Sequence, residues 1–244
     1  MKIVGLIPAR LESSRLPKKA MLDIHNYPMI VHVAKRAKLA MGLDAVAVCT
    51  DSKQIAEVCL RYGIDVVLTG SDNKNGTERI AEAARYLQLK SDDIVIDIQG
   101  DEPLILPSMI ENVAKFIQDS NYDIVVPYLR ISEEDNANRV KIVESSGRIL
   151  YLTRASAPFP FLRSASIKKH LSIIAFRREA LESFYMAGQT ELELVEGVEL
   201  LRALEIGLSL GTYEEIGETL AVDTQADYER VVRLMGRDTL YGKY

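Results

Sequence analysis

The chain opens with the strand-like run Ile3-Val4-Gly5-Leu6-Ile7-Pro8-Ala9-Arg10, which continues into the polar loop Leu11-Glu12-Ser13-Ser14-Arg15-Leu16-Pro17-Lys18-Lys19. Four cations fall within ten residues of this stretch: Arg10, Arg15, Lys18 and Lys19. In an open α/β sheet, ligands bind beyond the carboxyl ends of the strands. Small side chains there let a polyphosphate approach the backbone, and Arg and Lys neutralise its charge. Taken alone, the stretch fits a phosphate-binding loop and a solvated basic turn equally well.

The elements after this loop alternate between helix and strand. Hydrophobic periodicity and helix stop signals predict helices over 28–41, 51–62, 78–87 and 108–118, and strands over 45–50, 65–68, 94–98 and 123–127. The strands are continuous apolar runs, as expected when both faces of a parallel sheet are covered. This order predicts an α/β fold with a doubly wound, mostly parallel sheet and right-handed crossovers.

The clean alternation fails between about residues 132 and 168. The pattern predicts a β-hairpin around Gly147, one strand over 170–176, a helix over 178–185 and one acidic helix over 191–205. A strand over 208–213 and a helix over 227–234 follow. We expect one domain over residues 1–244, in which residues of about 132–215 form a smaller β-rich subdomain over one side of the sheet.

Composition excludes several classes of protein. With 48% hydrophobic and 27% charged residues, the 244-residue chain can bury a sizeable core, and its net charge of -5 gives no support for nonspecific nucleic-acid binding. Cys49 and Cys59 lack zinc-site spacing and are expected to be small buried hydrophobes. No apolar stretch approaches the roughly 18 residues of a membrane-spanning helix, and Pro8 and Arg10 interrupt the run that a signal peptide would need. We therefore expect a cytoplasmic protein.

Asp101 is the sharpest candidate for chemistry. It follows a predicted buried strand, and Gly100 before it lets the chain turn tightly. A carboxylate at this place in an α/β protein can hold a divalent cation beside a phosphate, although an Asx turn would also explain it. Asp223 follows apolar residues too, but Asp223 or Thr224 could simply cap the next helix. If the two carboxylates meet, they suit Mg²⁺, which takes one or two carboxylates plus waters and phosphate oxygens.

Other polar residues allow two interpretations each. Thr77 and Arg79 could contact a ligand, or Thr77 could cap the helix that follows. His170 is one of three histidines, and a lone histidine is usually structural. A basic set in the irregular region would bind an anion only if its members converge: Arg154, Arg163, Lys168 and Lys169. Three residues of the predicted acidic helix recur every third position, which would place them on one solvated or ligand-binding flank: Glu193, Glu196 and Glu199.

Common catalytic signatures are missing. The sequence has neither a GxxxxGK[ST] loop nor a GxGxxG fingerprint, which argues against a P-loop NTPase and a standard dinucleotide oxidoreductase. It also lacks the G-x-S-x-G turn of α/β-hydrolases.

Short motifs in a fixed order run along nearly the whole chain: Ile7-Pro8-Ala9-Arg10, Ser14-Arg15-Leu16-Pro17 with Lys19, Gly76-Thr77-Glu78-Arg79, Gln99-Gly100-Asp101-Glu102-Pro103, Val140-Lys141-Ile142-Val143, Thr153-Arg154-Ala155, His170-Leu171, Glu196 and Glu199 before Leu201-Arg202, and Val222-Asp223-Thr224. Together they resemble the 3-deoxy-manno-octulosonate (Kdo) cytidylyltransferases, or CMP-Kdo synthetases, among the sugar nucleotidyltransferases. The resemblance implies a Rossmann-like, mostly parallel sheet of the nucleotide-diphospho-sugar transferase type. It also implies a small β-rich subdomain for sugar binding and dimerisation, and a homodimer.

The resemblance implies a reaction as well. The anomeric hydroxyl of a 3-deoxy-octulosonic acid attacks the α-phosphorus of CTP, giving a CMP-sugar and pyrophosphate for lipopolysaccharide or another cell-surface glycan. By this resemblance, the catalytic groups are Arg10, Arg15, Lys19 and Asp101, and the Mg²⁺ ligands are Asp101 and Asp223. The nucleotide side would comprise Pro8, Ala9, Arg10, Ser14, Lys19, Thr77, Arg79 and Gln99. The sugar side would comprise Gln99, Arg154, Arg163, His170, Glu196 and Glu199, with Arg163 or another cation as its second arginine.

The chain departs from the family pattern mainly on the presumed sugar side. Lys18 replaces a glycine before the loop lysine, and Leu200 replaces a glutamine that follows the last of these glutamates in the acidic helix. A Gly and two Tyr of the family are replaced by Ser172, Ile174 and Phe176. Because a pocket without the partner for a hydroxyl discriminates differently, we hypothesise a modified Kdo as substrate. An 8-amino-Kdo is attractive, since the acidic helix could pair with its ammonium group.

Two alternatives stay open at this point. The first is a cytidylyltransferase for a nine-carbon (sialic-type) acid sugar, or another sugar nucleotidyltransferase. The second is a catalytically silent nucleotide-binding protein, against which the presence of Arg15, Lys19, Asp101 and Asp223 argues.

Overall fold

Buried apolar runs place the strands, and amphipathic runs place the helices around them. The computed structural model describes residues 1–13, 15–131, 137–162 and 166–244, so the predicted site residues Ser14 and Arg163 lie outside the described part. The strands are β1 Ile3–Ala9, β2 Asp23–Ile24, β3 Tyr27–Pro28, β4 Ala45–Thr50, β5 Asp65–Leu68, β6 Ile94–Ile98, β7 Ile124–Val125, β8 Tyr128–Ile131, β9 Lys141–Ser145, β10 Arg148–Thr153, β11 Ile167–His170, β12 Ile173–Arg177 and β13 Leu210–Gly211. The helices are α1 Met29–Ala37, α2 Lys53–Arg61, α3 Gly76–Tyr86, α4 Pro107–Asp119, α5 Arg178–Ala187, α6 Glu191–Glu196, α7 Leu201–Glu205 and α8 Gln225–Met235, with a 3₁₀ helix over Lys19–Met21.

Within the described ranges, eleven strands form one mixed sheet. Its order is β5-β4-β1-β6-β12-β7-β13-β10-β9-β11-β8, and β2 pairs with β3 in a separate ribbon. Strands β5, β4, β1 and β6 are parallel to one another. From β12 onward most pairs are antiparallel. The predicted α/β class and parallel first half are confirmed.

Helices cover both faces of the parallel half. Strand β1 is buried along its whole length, and its side chains alternate between two core clusters because successive strand residues point to opposite faces. Ile7 shares one cluster with Ile30 of α1, and Leu6 shares the other with Ile80 of α3. Cys49 and Cys59 are buried free thiols, as predicted. With both faces occupied, the strand ends are left to hold a ligand.

The second half of the chain extends this sheet. The predicted hairpin is confirmed, since β9 and β10 pair antiparallel around Gly147, whose φ is 78°. Strand β12 pairs with both β6 and β7. The division into a separate subdomain of about 132–215 stays a prediction. In the described part of the chain, no helix combines the length and apolar character needed to cross a membrane.

The single strand predicted over 170–176 is wrong. His170 ends β11, where it pairs with Tyr128 of β8, whereas Ile173 begins β12, where it pairs with Ile98 of β6. Between them, the amide of Leu171 donates to the carbonyl of Pro127 at 3.0 Å. The chain changes its pairing partner within two residues, and a run of apolar side chains carries no signal of that change.

The single acidic helix predicted over 191–205 is also wrong. Helix α6 ends at Glu196, and Gly197 after it adopts a left-handed conformation with a φ of 61°. Helix α7 begins only at Leu201, so Glu199 lies in the turn between two short helices. Glycine tolerates this conformation at no steric cost, which allows the helix to stop there.

Candidate active site

The opening loop ends in a turn that positions Lys19. Lys18 adopts a left-handed conformation, with a φ of 53°, immediately before the 3₁₀ helix. A non-glycine residue rarely adopts this conformation, because its Cβ approaches the backbone. The family pattern of glycine before the loop lysine therefore has a backbone explanation, and Lys18 keeps the conformation without the glycine.

A cavity of about 340 Å³ lies at the ends of β1 and β6. Gly100 lines its floor, where an added Cβ would come within 2.9 Å of the carbonyl oxygen of Pro8, so only glycine fits there. The cavity brings together most of the residues predicted for the nucleotide side and the metal: Pro8, Ala9, Arg10, Arg15, Lys19, Arg79, Gln99, Asp101 and Asp223. Thr77 is not among the lining residues.

Asp101 and Asp223 meet at this cavity and share one lysine. The Lys19 Nζ atom donates to Asp101 Oδ2 at 2.7 Å and to Asp223 Oδ1 at 3.3 Å. Arg15 donates to the same Asp223 oxygen at 2.9 Å. The backbone fixes the meeting, since the amide of Val222 donates to the carbonyl of Asp101 at 2.9 Å.

Capping of the next helix does not use the Asp223 side chain. Thr224 is the N-cap of α8, and it forms a reciprocal capping box with Asp227. The Asp223 carboxylate is therefore available to the cavity and to Arg15. Among the residues described, no group of three or more His, Cys, Asp or Glu side chains is placed to hold a metal ion.

Arg10 and Arg79 line the cavity in different ways. Arg10 is exposed and makes no hydrogen bond or ion pair within the described ranges. Arg79 is 4% exposed, and its guanidinium bonds Thr69 Oγ1 at 2.7 Å and Asp51 Oδ2 at 3.2 Å. Arg79 thus fixes the loop before α3, while the donors of Arg10 have no partner among the described residues.

Thr77 is not the N-cap of α3. Asn75 has that role, because its side-chain oxygen accepts from the amide of Glu78 at 2.8 Å. The Thr77 side chain is instead fully buried and faces Glu199.

Gln99 connects the cavity to a buried acid that the sequence analysis overlooked. Its Nε2 atom lies 3.0 Å from both carboxylate oxygens of Asp97, which is fully buried in β6. Burial, and then the charge of Glu199, raise the pKa of Asp97 well above its usual value. A carboxylate inside an otherwise apolar strand was a signal in the sequence, although the run still reads as an ordinary strand.

A second cavity, of about 390 Å³, adjoins the first through Asn75, which lines both. Three residues of the predicted sugar side line it: Arg154, His170 and Glu199. Burial, and then the charge of Lys169, lower the pKa of His170 to about 4, so this ring is neutral near pH 7. Leu200, a departure from the family pattern, also lines this cavity.

The side chains of Arg154 and Glu196 each form a hydrogen bond with a backbone group of the other residue. The Arg154 guanidinium donates to the carbonyls of Glu196 and Gly197 at 3.0 Å, and also to that of Ala137 at 3.0 Å. The Glu196 carboxylate accepts from Thr153 Oγ1 at 2.7 Å and from the Arg154 amide at 2.9 Å. Glu196 does not line the second cavity.

The predicted flank of three glutamates does not exist. Glu193 is buried and ion-pairs at 2.7 Å with Arg202, which also bonds Glu78 at 2.9 Å. Glu196 points to the end of β10, and Glu199 lies in the turn after α6. The break at Gly197 takes Glu199 off the helix, and Glu193 and Glu199 line the second cavity whereas Glu196 does not.

Two of the departures from the family pattern lie in the core. Ile174 is 2% exposed and Phe176 is fully buried, in the same hydrophobic cluster as Leu181. Neither residue lines either cavity. The expectation that these two side chains face the sugar is therefore wrong.

A family profile described as cytidylyltransferase matches residues 4–216. The chain is 39% identical to a 3-deoxy-manno-octulosonate cytidylyltransferase of Syntrophobacter fumaroxidans, over 98% of this chain and 99% of that protein. It is 38% identical to the enzyme of the same name from Acinetobacter baumannii, over 93% and 95% of the two chains.

Solved structures indicate the same family. CMP:2-keto-3-deoxy-manno-octonic acid synthetase complexed with CTP matches with a TM-score of 0.91 and 34% identity, over 97% of this chain and 99% of that chain. A glucose-1-phosphate thymidylyltransferase of Bacillus anthracis, described as putative and solved with sucrose, matches with a TM-score of 0.70 at 15% identity. At that low identity, the second match supports the fold alone.

Proposed function

The chain belongs to the 3-deoxy-manno-octulosonate cytidylyltransferase family, a family of nucleotidyltransferases, and from this premise we propose that it joins CMP to a 3-deoxy-octulosonic acid. In the proposed reaction, the anomeric oxygen of the sugar bonds to the α-phosphorus of CTP, and the bond from that phosphorus to the pyrophosphate oxygen breaks. The sugar hydroxyl loses its proton, and CMP-sugar and pyrophosphate leave.

The meeting of Asp101 and Asp223 over Lys19 is the observation that carries the proposal. Their carboxylates lie 2.7 and 3.3 Å from one ammonium group, at the edge of the sheet where α/β proteins bind nucleotides. A basic turn that is only solvated does not require two carboxylates from such distant parts of the chain.

The cations of the opening loop have the roles of binding and orienting the triphosphate. Arg10 has no hydrogen-bond partner in the described part of the chain, and Arg15 and Lys19 can exchange their carboxylate partners for phosphate oxygens. A guanidinium can bind two phosphate oxygens at once, which fixes the orientation of the chain of phosphates. Pro8 and Ala9 shape the wall beside them, and Gln99 also lines this cavity, with its amide hydrogen-bonded to Asp97.

Asp101 and Asp223 would hold Mg²⁺. Two carboxylates beside a triphosphate are the donor set that this ion takes, and both already share a cation. When bound, Mg²⁺ supplies neutralisation of the negative charge that develops on the α-phosphate and the leaving pyrophosphate. The chain's own contribution is to keep both carboxylates at the cavity through the bond between Val222 and Asp101.

The second cavity is the proposed sugar site. It adjoins the nucleotide cavity at Asn75 and is lined by Arg154, His170 and Glu199. Within the octulosonates, an 8-amino-Kdo is the finer proposal. Its support is Glu199, whose Oε2 atom is buried without a hydrogen-bond partner in the described part of the chain.

Pyrophosphate release tests the function. The protein is assayed with Mg²⁺ and each of four nucleoside triphosphates, against Kdo, 8-amino-Kdo and a nine-carbon sialic-type acid. We expect release only with CTP and an octulosonate. No release with CTP and either octulosonate would refute the proposal, and release with the nine-carbon acid alone would favour the alternative sugar class.

We also propose a homodimer, as the resemblance to the family implied. Its support is a run of large apolar side chains at the surface, since Phe159, Phe161 and Leu162 are 79%, 83% and 92% exposed. Light scattering behind size-exclusion chromatography measures the mass directly. A monomer at all concentrations would contradict this proposal, while loss of the dimer in Phe161→Ser would place the interface at this run.

A further inference from the structure

The two sides of the nucleotide cavity rest on a small hydrophobic cluster of their own. Leu16 lies in the opening loop between Arg15 and Lys19, and Val222 directly precedes Asp223. Both belong to a cluster that is separate from the two clusters flanking the sheet, and its buried members are Leu16, Ile24, Met29, Val222, Val231 and Met235. Whatever keeps this cluster in place therefore also keeps the loop cations opposite the Asp223 carboxylate.

Helix α8 links this cluster to a distant anchor. Its first residue follows the Asp223-Thr224 pair, and at 1.5 Å per residue the helix extends about 16 Å away from the cavity. Residues 236–244 come after it and lie against α1. A helix held by few buried contacts is among the first elements to open locally. The contacts of the 236–244 segment therefore decide how firmly α8 is held.

Arg36 of α1 binds this segment with a buried charge. It is fully buried, and its guanidinium forms an ion pair with Asp238. The Nη1 atom donates to the carbonyl of Ile105 at 3.2 Å, and the guanidinium carbon lies 5.7 Å from the ring centre of Tyr244. In the described part of the chain, Arg36 takes part in no other ion pair. Because an unpaired buried charge is costly, detachment of the segment is strongly opposed.

His32 binds the same segment one helical turn earlier. Its ring is fully buried, and burial lowers its pKa, so the ring is neutral near pH 7. Nε2 lies 2.8 Å from the carbonyl oxygen of Ile24, and Nδ1 lies 2.8 Å from the hydroxyl of Tyr244. A carbonyl can only accept, which assigns the proton to Nε2 and makes Nδ1 the acceptor of the Tyr244 hydroxyl. The ring thus joins β2 to the 236–244 segment.

These polar contacts give precision more than stability. Apolar residues of similar volume often stabilise a fold as well as a buried ion pair does. Hydrogen bonds and ion pairs are directional, however, and they fix one position of the segment. Asp223 needs such precision, because its carboxylate must stay near Lys19 and Mg²⁺ tolerates little departure from octahedral geometry.

We propose that Arg36 and His32 are positioning residues for the transfer reaction: they anchor the 236–244 segment through Asp238 and Tyr244, and α8 transmits this anchor to Asp223. The inference rests on the proposed function. Neither Arg36 nor His32 lines either cavity, so both act at a distance from the substrates. Loss of the anchor should loosen α8 and weaken the binding of CTP with Mg²⁺, while the parallel strands stay intact.

The test uses three single variants of the full chain. Asp238→Asn removes the counterion of Arg36 with little change of shape, and Tyr244→Phe removes a single hydroxyl. Glu182→Gln is the matched control, because it breaks an ion pair between α5 and α3 and lines neither cavity. Calorimetry measures the affinity for CTP in the presence of Mg²⁺, and hydrogen exchange measures the opening of α8 against that of β1 and β6.

We expect the affinity for CTP to fall at least about fivefold in Asp238→Asn and about twofold in Tyr244→Phe, and to stay unchanged in Glu182→Gln. The amides of α8 should exchange faster in the first two variants, and those of β1 and β6 should not. If Asp238→Asn fails to fold, Tyr244→Phe decides by the same criteria.

A double-variant comparison separates positioning from a general loss of stability. In an Asp223→Asn background, Asp238→Asn should change the affinity for CTP by less than about twofold, because its effect passes through Asp223. An undiminished loss in that background, or unchanged affinity in both single variants of the anchor, would overturn the inference. CTP binding by the unmodified protein would in either case leave the proposed function standing, whereas no binding of CTP at all would refute the function itself.

Discussion

Asp101 shares the Lys19 ammonium with Asp223, so its charge matters more to the site than its shape does. Its side chain is 27% exposed, and water solvates part of it whether or not a partner is present. At the scale of single residues, the site therefore depends on charges that contribute little to folding. Partly exposed ion pairs of this kind are generally worth no more than about 1 kcal/mol.

Asp101→Asn should reduce pyrophosphate release at least about 100-fold, because an amide binds Mg²⁺ and the Lys19 ammonium more weakly than a carboxylate does. The free energy of unfolding should change by less than about 1 kcal/mol. Steady-state assays and urea denaturation measure the two effects. Asp119→Asn, exposed at the end of α4, is the control and should leave both unchanged. Near-normal turnover in Asp101→Asn would refute a metal-binding role for Asp101.

Lys18→Gly should raise the free energy of unfolding relative to Lys18→Ala by about 1 kcal/mol, since glycine adopts the left-handed conformation without strain. Both variants lose the same charge, so their difference isolates the backbone. Chemical denaturation measures it. If alanine is as stable as glycine at this position, the strain assigned to Lys18 is absent.

At the scale of elements, the break between α6 and α7 determines what the second cavity contains. Gly197 stops α6, and the turn that follows carries Glu199 to the cavity and leaves Glu196 on the end of β10. An uninterrupted helix would have placed both carboxylates on one flank. The sequence pattern predicted that helix because glutamate and leucine continue on both sides of the glycine, and helix propensity alone does not indicate a single left-handed residue.

Gly197→Ala should lower the free energy of unfolding by about 1 kcal/mol, the cost of a left-handed alanine. An added Cβ would meet nothing closer than Arg154 Nε at 3.8 Å, so the cost is that of the backbone and not of a clash. KM for the sugar should rise, and KM for CTP should not.

Gly207→Ala is the control for this change. Gly207 has a φ of 84°, nothing lies within 4 Å of its added Cβ, and it lines neither cavity. Gly207→Ala should lower the free energy of unfolding by a similar amount and leave the KM values for the sugar and for CTP unchanged. Equal kinetic effects in the two variants would mean that the turn after α6 does not position Glu199.

At the scale of the whole molecule, buried carboxyl groups make stability depend on pH. Burial raises the pKa of both Glu102 and Glu199 to about 7. A carboxyl group that binds its proton more tightly in the folded state stabilises the fold below its unfolded pKa. That stability is lost as the pH rises through the folded value. His170 acts in the opposite sense, because its lowered pKa removes stability as the pH falls from about 6.5 toward 4.

Glu199→Gln should therefore raise the melting temperature at about pH 8, where the native carboxylate is charged, and have little effect at about pH 3, where the carboxyl group is mostly neutral in both states. At the higher pH, the free energy of unfolding should rise by about 1–3 kcal/mol, as the size of the pKa change implies. Thermal unfolding across this range measures it, with Glu191→Gln as the exposed control. A gain that does not vary with pH would show that the pKa of Glu199 is the same in the folded and unfolded states.

Much of the first half could be predicted from sequence because β1, β4 and β6 are buried along nearly their whole length. The runs over 45–50, 65–68 and 94–98 coincide with β4, β5 and β6. Asp101 and Asp223 could be singled out as carboxylates after strand-like runs, but their meeting could not, because it depends on one backbone bond between distant segments. Asp97 was overlooked because a charged residue within an apolar strand gives no local sign of what faces it.

The hydrogen bond between Val222 and Asp101 has a consequence for folding during synthesis. Arg15 and Asp223, which close the phosphate side of the site, are 208 positions apart. During synthesis, nearly the whole of that length must leave the ribosome before Arg15 of the opening loop can pair with the Asp223 carboxylate. Val222 and Val231 share a core cluster with Leu16 and Ile24, so the same late segment also packs beneath the loop. A nascent chain shorter than this can build the parallel strands but not the nucleotide site, and binding activity on the ribosome would appear in a single late step.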